Sequence, residues 1–218
     1  MNQESHIRQI EDIFRDSSIR IIGIVGNPNE AKSNTIYHMI DILKTRTDAK
    51  IYAYGLRNKL ENVQDLHRIS ELETLRDSVI FIDEFYDLFR MSNRKAAEKA
   101  EDSLRTIYHQ NNIMILCGLP HNFNKFVSGL LQAVIFKQSS LEDFIQRSSL
   151  QQFVTSYSGG FEVKKASAIL SMPKHIALVW MGGKHSYEVE IPYNEAGDSK
   201  RFNKPVIVLK DEKKIKAR

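Results

Sequence analysis

The chain is 218 residues long, 42% hydrophobic and 27% charged, the balance of an ordinary folded domain and not of a disordered one. That length accommodates one well-developed core, and no apolar run approaches the roughly 20 residues needed to span a bilayer. The single cysteine, Cys117, excludes an intrachain disulfide or a multi-cysteine metal site, and the net charge of +4 is compatible with a nucleic-acid partner without requiring one.

The N-terminal stretch MNQESHIRQIEDIFRD has no signal-peptide core, so a soluble, cytoplasmic chain is expected. Within it Ile7, Ile10, Ile13 and Phe14 recur at three- and four-residue spacing, which predicts a short amphipathic helix in residues 1–18. The period then changes. Ile19, Ile21, Ile22, Ile24 and Val25 form a β-branched run stopped by Gly26, the pattern of a buried strand. After the turn GNPNEAKSN, Ile36, Met39, Ile40 and Leu43 return to helical spacing.

Lys50 to Tyr54 reads as a second strand, and Asn62 to Arg76 is polar and mostly helical in pattern. Val79 to Ile82 is an apolar strand ending on Asp83-Glu84. A helical stripe follows over Lys95 to Gln110, then a buried strand over Ile113 to Cys117, where the cysteine reads as a small core residue. Phe123 to Leu131 is helical in pattern, Ala133 to Phe136 strand-like, and Leu141 to Phe153 helical again.

The chain ends differently. Ile176 to Met181 and Tyr187 to Ile191 flank Gly182-Gly183, which predicts a C-terminal β-hairpin, and Val206 to Leu209 adds an edge strand. The alternation of strands and helices predicts an α/β fold: a mostly parallel central sheet with helices on both faces, three layers in all. One domain is expected over residues 19–209, followed by a solvated basic tail at 210–218.

Gly26-Asn27-Pro28-Asn29-Glu30-Ala31-Lys32-Ser33 occupies the place of the motif G-x-x-x-x-G-K-[ST], with Asn34 just beyond it. In such a loop, backbone N–H groups and the helix N-terminus hold phosphate oxygens. Lys32 would reach the β- and γ-phosphates of ATP, and the Ser33 hydroxyl would ligate Mg²⁺. Ala31 departs from the pattern where a second glycine is usual, at a cost if the position needs a positive φ. Asn29 fills another position often held by glycine, and asparagine tolerates that geometry. Alone, the loop also reads as an ordinary strand-to-helix turn with a surface lysine.

About 50 residues later the apolar strand delivers Asp83 and Glu84. Asp83 suits the Mg²⁺ shell, and Glu84 suits the polarising of an attacking water. A solvated acidic turn is the plainer alternative. The two motifs together predict a P-loop NTPase of RecA-like architecture.

From Ile21 to Tyr193 the sequence resembles the FtsK/HerA superfamily of DNA-pumping ATPases, through GNPNEAKS, VIFIDEFYDLF, LRTIYHQNNIMIL, LLQAVIFKQSSLEDFIQRSSL and SMPKHIALVW. The resemblance implies a homo-oligomeric ring, commonly a hexamer, moving double-stranded DNA through its pore. It also implies an arginine supplied in trans to the neighbour's γ-phosphate. Arg147 matches that role first and Arg105 second; a surface or ion-paired arginine explains either equally. The compact size is similar to viral genome-packaging ATPases or small mobile-element translocases, which would place the chain in the host cytoplasm or with a virion and give it a capsid or portal-vertex partner. Arg94 and Lys95 are candidates to track DNA, although a solvated helix start explains them as well.

One further departure stands out. The family usually ends the strand after Asp83-Glu84 with a polar sensor, whereas here it runs Ile115 to Pro120 without a glutamine, leaving His121 or Asn122 as substitutes. This and Ala31 bear on catalytic rate more than on binding, so an ATP-binding scaffold or regulator with little turnover is the second reading. A small-molecule kinase would need an arginine-rich lid, which the sequence lacks.

Overall fold

The computed structural model describes residues 13–89, 102–107, 109–123, 125–140, 169–181 and 185–194. Eight strands form one sheet in the order β3-β2-β4-β5-β1-β6-β7-β8. They are β1 (Ile21–Val25), β2 (Lys50–Tyr54), β3 (Val63–Asp65), β4 (Ser78–Ile82), β5 (Ile113–Gly118), β6 (Ala133–Phe136), β7 (Ile176–Met181) and β8 (His185–Glu190). Every neighbouring pair from β3 to β6 is parallel, while β7 is antiparallel to both β6 and β8. Only β7 therefore runs against the rest of these strands, and one edge of the sheet collects nearly all the strand C-termini.

The sequence patterns explain the layers. β1, β4 and β6 are buried along their whole length, because a central parallel strand is covered on both faces and carries apolar residues continuously. Ile22 and Ile24 of β1 turn to one face, where they join Phe81, Ile115 and Val179 beneath Ile36, Met39, Ile40 and Leu43 of helix α1 (Lys32–Arg46). Ile21 and Val25 turn to the other, with Ile80, Leu116 and Phe136. That second face is covered by Phe85 of α2 (Phe85–Phe89), Leu104 and Ile107 of the helical residues 102–107 (α3), and Val127 of α4 (Lys125–Leu130). The three layers and the C-terminal antiparallel pair are as expected.

The segment Asn62 to Arg76 differs from the helical expectation. Val63–Asp65 pairs with Ile51–Ala53 as the short edge strand β3, and only Ile69–Thr74 coils, as a 3₁₀ turn. Its polarity reflects the edge position: Gln64 and Asp65 are exposed, whereas Leu66, Leu72 and Leu75 reach the core. Of the N-terminal helix, residues 13–15 are helical and Ile13 is fully buried. The expected helix Leu141 to Phe153, the edge strand Val206 to Leu209 and the basic tail lie outside the described residues.

Candidate nucleotide site

β1 ends at Val25, and the next residue touches the neighbouring strand end so closely that a Cβ on Gly26 would lie 2.6 Å from the Cβ of Lys137. Glycine is required there by space. The Asn27 N–H then donates to the Gln138 carbonyl (2.8 Å), which ties the start of the loop to the end of β6. Asn29 (φ 62°) and Ala31 (φ 57°) both adopt left-handed backbone. Position 31 does therefore want a glycine-like geometry, and alanine adopts it under strain. Ala31 caps α1, its carbonyl accepting from both the Thr35 N–H (3.1 Å) and the Thr35 hydroxyl (3.2 Å).

Lys32 is buried to 6% exposure, and its ammonium donates to the Asn27 carbonyl at 2.7 Å, inside the loop. The Ser33 hydroxyl donates to Asp83 Oδ2 at 2.7 Å, so the two motifs 50 residues apart in sequence meet directly. The Asp83 N–H is fixed by the Tyr54 carbonyl (2.9 Å), and Asp83 Oδ1 accepts the Glu84 N–H (3.1 Å). Glu84 itself is exposed and has φ 49°, a strained backbone position immediately after the strand. Phe85, fully buried with its ring 4.8 Å from that of Phe123, anchors the turn from behind.

Loss of hydration, followed by the charge of Asp83, holds the Glu84 carboxyl above its ordinary value, against an opposing pull from Lys32. A carboxylate so placed is a better proton acceptor than a free glutamate. Burial, with Asp83 nearby, pushes the Cys117 thiol well above its ordinary value, so this cysteine is a neutral core residue.

A cavity of about 440 Å³ opens over these groups. Pro28 to Asn34 form its floor, and Glu84, Arg57 and Leu119 stand on the β4/β5 side. Lys174, His175, Ile191 and Tyr193 stand on the β7/β8 side. Asn34 fastens that second wall: its amide donates to the Pro192 carbonyl (3.0 Å) and accepts the Asn194 N–H (2.7 Å). Asn194 in turn donates to Asp41 of α1 (2.6 Å), leaving Tyr193 held at the rim with 64% of its surface exposed.

Ser33 and Asp83 are the residues suited to Mg²⁺. Two hard oxygen donors already in contact fit an ion that takes few protein ligands and completes its shell with waters and phosphate oxygens. Among the described residues there is no cluster of three or more His, Cys, Asp or Glu that could hold a metal ion.

The loop residues Gly26 to Asn34, with Asp83 and Glu84, thus come together as the motifs require. Arg105 is exposed on α3 and does not line the cavity. Arg147, Arg94 and Lys95 lie outside the described residues. Neither sensor substitute faces the cavity: His121 is exposed, Asn122 is buried, and Leu119 takes the position at the strand end. Arg57, His175 and Tyr193 were not foreseen. They arrive from loops whose meeting is decided by sheet order, and no motif spacing marks them in the sequence.

A strand, a phosphate-type loop and a helix, with a neighbouring strand delivering Asp83 to the loop serine, define a P-loop NTPase fold. Solved structures of that class superpose on most of the chain. The DNA-packaging ATPase B204 from Sulfolobus turreted icosahedral virus matches with a TM-score of 0.59 at 14% identity, over 80% of this chain and 98% of that one. The genome packaging NTPase B204 from Sulfolobus turreted icosahedral virus 2, in complex with ATP-gammaS, matches with a TM-score of 0.56 at 15% identity, over 81% and 98%. The pCW3 conjugation coupling protein TcpA, with ATPgS, gives 0.52 at 14% identity, over 80% of this chain and 60% of that one. The likeness to FtsK/HerA-type ATPases expected from the motifs holds at the level of the fold. No family model and no curated protein matches the sequence. Among the described residues, no helix is long and apolar enough to cross a membrane.

Proposed function

We propose that the protein is an ATP-hydrolysing DNA translocase that works as a ring, a hexamer by resemblance, and packages a viral or mobile-element genome. The observation that carries this reading is the contact of Ser33 with Asp83 beneath a cavity lined by Lys32 and Glu84, on a fold shared with packaging NTPases. The loop amides and Lys32 bind and neutralise the phosphates. Ser33 and Asp83 would hold Mg²⁺, which supplies charge neutralisation on the phosphate oxygens. Glu84 orients the attacking water and accepts its proton. An arginine from the adjacent subunit, Arg147 or Arg105, completes the site, and the cations Arg94 and Lys95 follow the DNA backbone. A capsid or portal-vertex protein is the docking partner, in the cytoplasm of the host or with the virion.

Steady-state ATP hydrolysis with and without duplex DNA tests the reading, together with the mass of the particle formed with both present. Hydrolysis stimulated by DNA and abolished by Lys32→Ala and Glu84→Gln supports the motor. Tight ATP binding without turnover under every DNA condition sinks it and selects the scaffold, the reading favoured by strained Ala31 and by apolar Leu119 at the sensor position. A strict monomer under all conditions removes the trans arginine.

A further inference from the structure

Sheet order gives the cavity a direction. β1 delivers the phosphate loop; β5, β4 and β2 lie successively to one side of it, and β6, β7 and β8 to the other. Asp83 and Glu84 mark the first side as the one where the terminal phosphoryl group reacts. A second charged group reaches the cavity from that side. Arg57 lies in the loop after β2 and lines the same cavity as Lys32, Ser33 and Glu84.

Its loop is fastened at two points to the catalytic elements. Gly55 has φ 78° and crosses the Asp83 carbonyl so closely that a Cβ would lie 2.6 Å from that oxygen, so only glycine permits the turn. On the other side of Arg57, the Asn58 N–H donates to the Tyr37 hydroxyl (3.0 Å), a largely buried group of α1. The arginine is thus suspended between the strand end that carries Glu84 and the helix that follows the phosphate loop. Its charge is felt by both neighbours, lowering the proton affinity of the Glu84 carboxyl and of the Tyr37 hydroxyl. Arg57 is exposed, so packing of the core does not account for its placement.

We propose that Arg57 is a catalytic residue acting in cis, binding the oxygens of the terminal phosphoryl group as charge develops on them. The proposal rests on the ATPase reading above. In the step it serves, the water oxygen bonds to the γ-phosphorus as the bond from that phosphorus to the β–γ bridging oxygen breaks. The electron pair leaves on the β-phosphate of ADP, and the water proton passes by way of Glu84 to the inorganic phosphate. The planar guanidinium contacts two equatorial oxygens at once, a geometry a lysine ammonium does not reproduce. The site would then carry one arginine of its own and receive another from the neighbouring subunit.

The test uses the full chain with Arg57→Ala and Arg57→Lys, their folding checked by thermal melting against the wild type. Turnover should fall about 10²- to 10³-fold in Arg57→Ala, in the range of a lost transition-state donor. ATP-gammaS affinity should stay within about threefold, while affinity for MgADP–aluminium fluoride, which mimics the transferring phosphoryl group, falls with the rate. Arg57→Lys should recover part of the loss. Mixing Arg57→Ala with Glu84→Gln subunits separates cis from trans: an arginine acting in cis gives no recovery, and one acting in trans restores sites with both groups intact. Unchanged turnover in Arg57→Ala, or recovery on mixing, overturns the proposal while leaving the ATPase reading standing. A wild type that neither hydrolyses ATP nor binds the aluminium fluoride complex removes that reading, and this one with it.

Discussion

The two flanks of β1 differ in what they bring to the same cavity. On the parallel flank, β5, β4 and β2 all end at the rim, and their following loops carry Leu119, Asp83-Glu84 and Arg57. On the mixed flank, β7 reverses direction, so the rim receives the residues before β7, Lys174 and His175, and those after β8, Ile191 to Tyr193. The first flank carries Glu84 and Arg57, and Glu84 is strained at positive φ. The second is fixed by neutral hydrogen bonds from Asn34 and ends in an exposed aromatic ring. On the proposed function this asymmetry is a division of labour, in which the parallel flank would act on the terminal phosphate and the mixed flank would hold the rest of the nucleotide.

The most severe way to break that division is to change one flank and look for the other's phenotype. Glu84→Gln keeps the volume of the side chain and removes its basicity. Turnover should drop roughly 10³-fold, within the range for a lost general base, while ATP affinity stays near wild type. A large loss of affinity with intact turnover at saturation would assign Glu84 to binding and undo the contrast. Single-turnover hydrolysis alongside equilibrium binding of a fluorescent nucleotide makes the measurement.

The mixed flank also contains a buried charge with a structural task. Lys137, fully buried at the end of β6, donates to the carbonyls of Lys174 (2.6 Å) and Ile176 (2.7 Å) and so joins β6 to the start of β7. Burial lowers its pKa from 10.5 to about 8, with Glu30 opposing. Between about pH 8 and 10.5 the unfolded chain therefore binds more protons at this site than the folded one. Stability should rise with pH across that window, by up to about 3 kcal/mol from this group. Below pH 8 the penalty is fully present. Urea unfolding midpoints from pH 7 to 10.5 should climb in the wild type relative to Lys137→Met. Parallel curves for the two proteins would remove Lys137 as the source.

A smaller effect sharpens the same contrast. If the nucleotide base stacks on Tyr193, Tyr193→Ala should weaken ATP binding about tenfold, near the lower end of aromatic–base stacking, and leave saturated turnover unchanged. Titration calorimetry gives the first quantity and steady-state hydrolysis the second; loss of turnover at saturating ATP would count against the division.

These flanks were unequally legible in the sequence. β1, β4 and β5 announce themselves because strands covered on both faces must be almost wholly apolar, as in Ile21–Val25 and in residues 79–82. Lys32 and Ser33 open the helix that the loop after β1 leads into, and Asp83 and Glu84 follow directly on β4, so all four sit where motif spacing puts them. Arg57 and Tyr193 carry no such mark. Arg57 reaches the site because β2 is adjacent to β4, a pairing decided by the whole sheet. Tyr193 does so because Asn34 captures the backbone on either side of it. The edge strand β3 was hidden by its exposed, polar face, which satisfies a helical pattern as readily as a short edge strand.

Between the flanks stands Ala31, where the prediction is of a gain. Its φ of 57° and ψ of 30° are left-handed, a conformation that costs an L-residue roughly 1–2 kcal/mol and glycine almost nothing. Glycine also loses more chain entropy on folding, which offsets part of that, so Ala31→Gly should stabilise the protein by about 0.5–1 kcal/mol. The substitution leaves the Thr35 bonds to the residue-31 carbonyl intact, because both involve backbone oxygen. ATP affinity should therefore change little if the alanine methyl points away from the phosphates, and rise if it crowds them. Denaturant unfolding separates strain from crowding: a gain in stability without a gain in affinity assigns the cost of Ala31 to the backbone alone. A loss of stability would mean that the loop relaxes out of the left-handed region, and that the floor shared by both flanks is not strained at this residue.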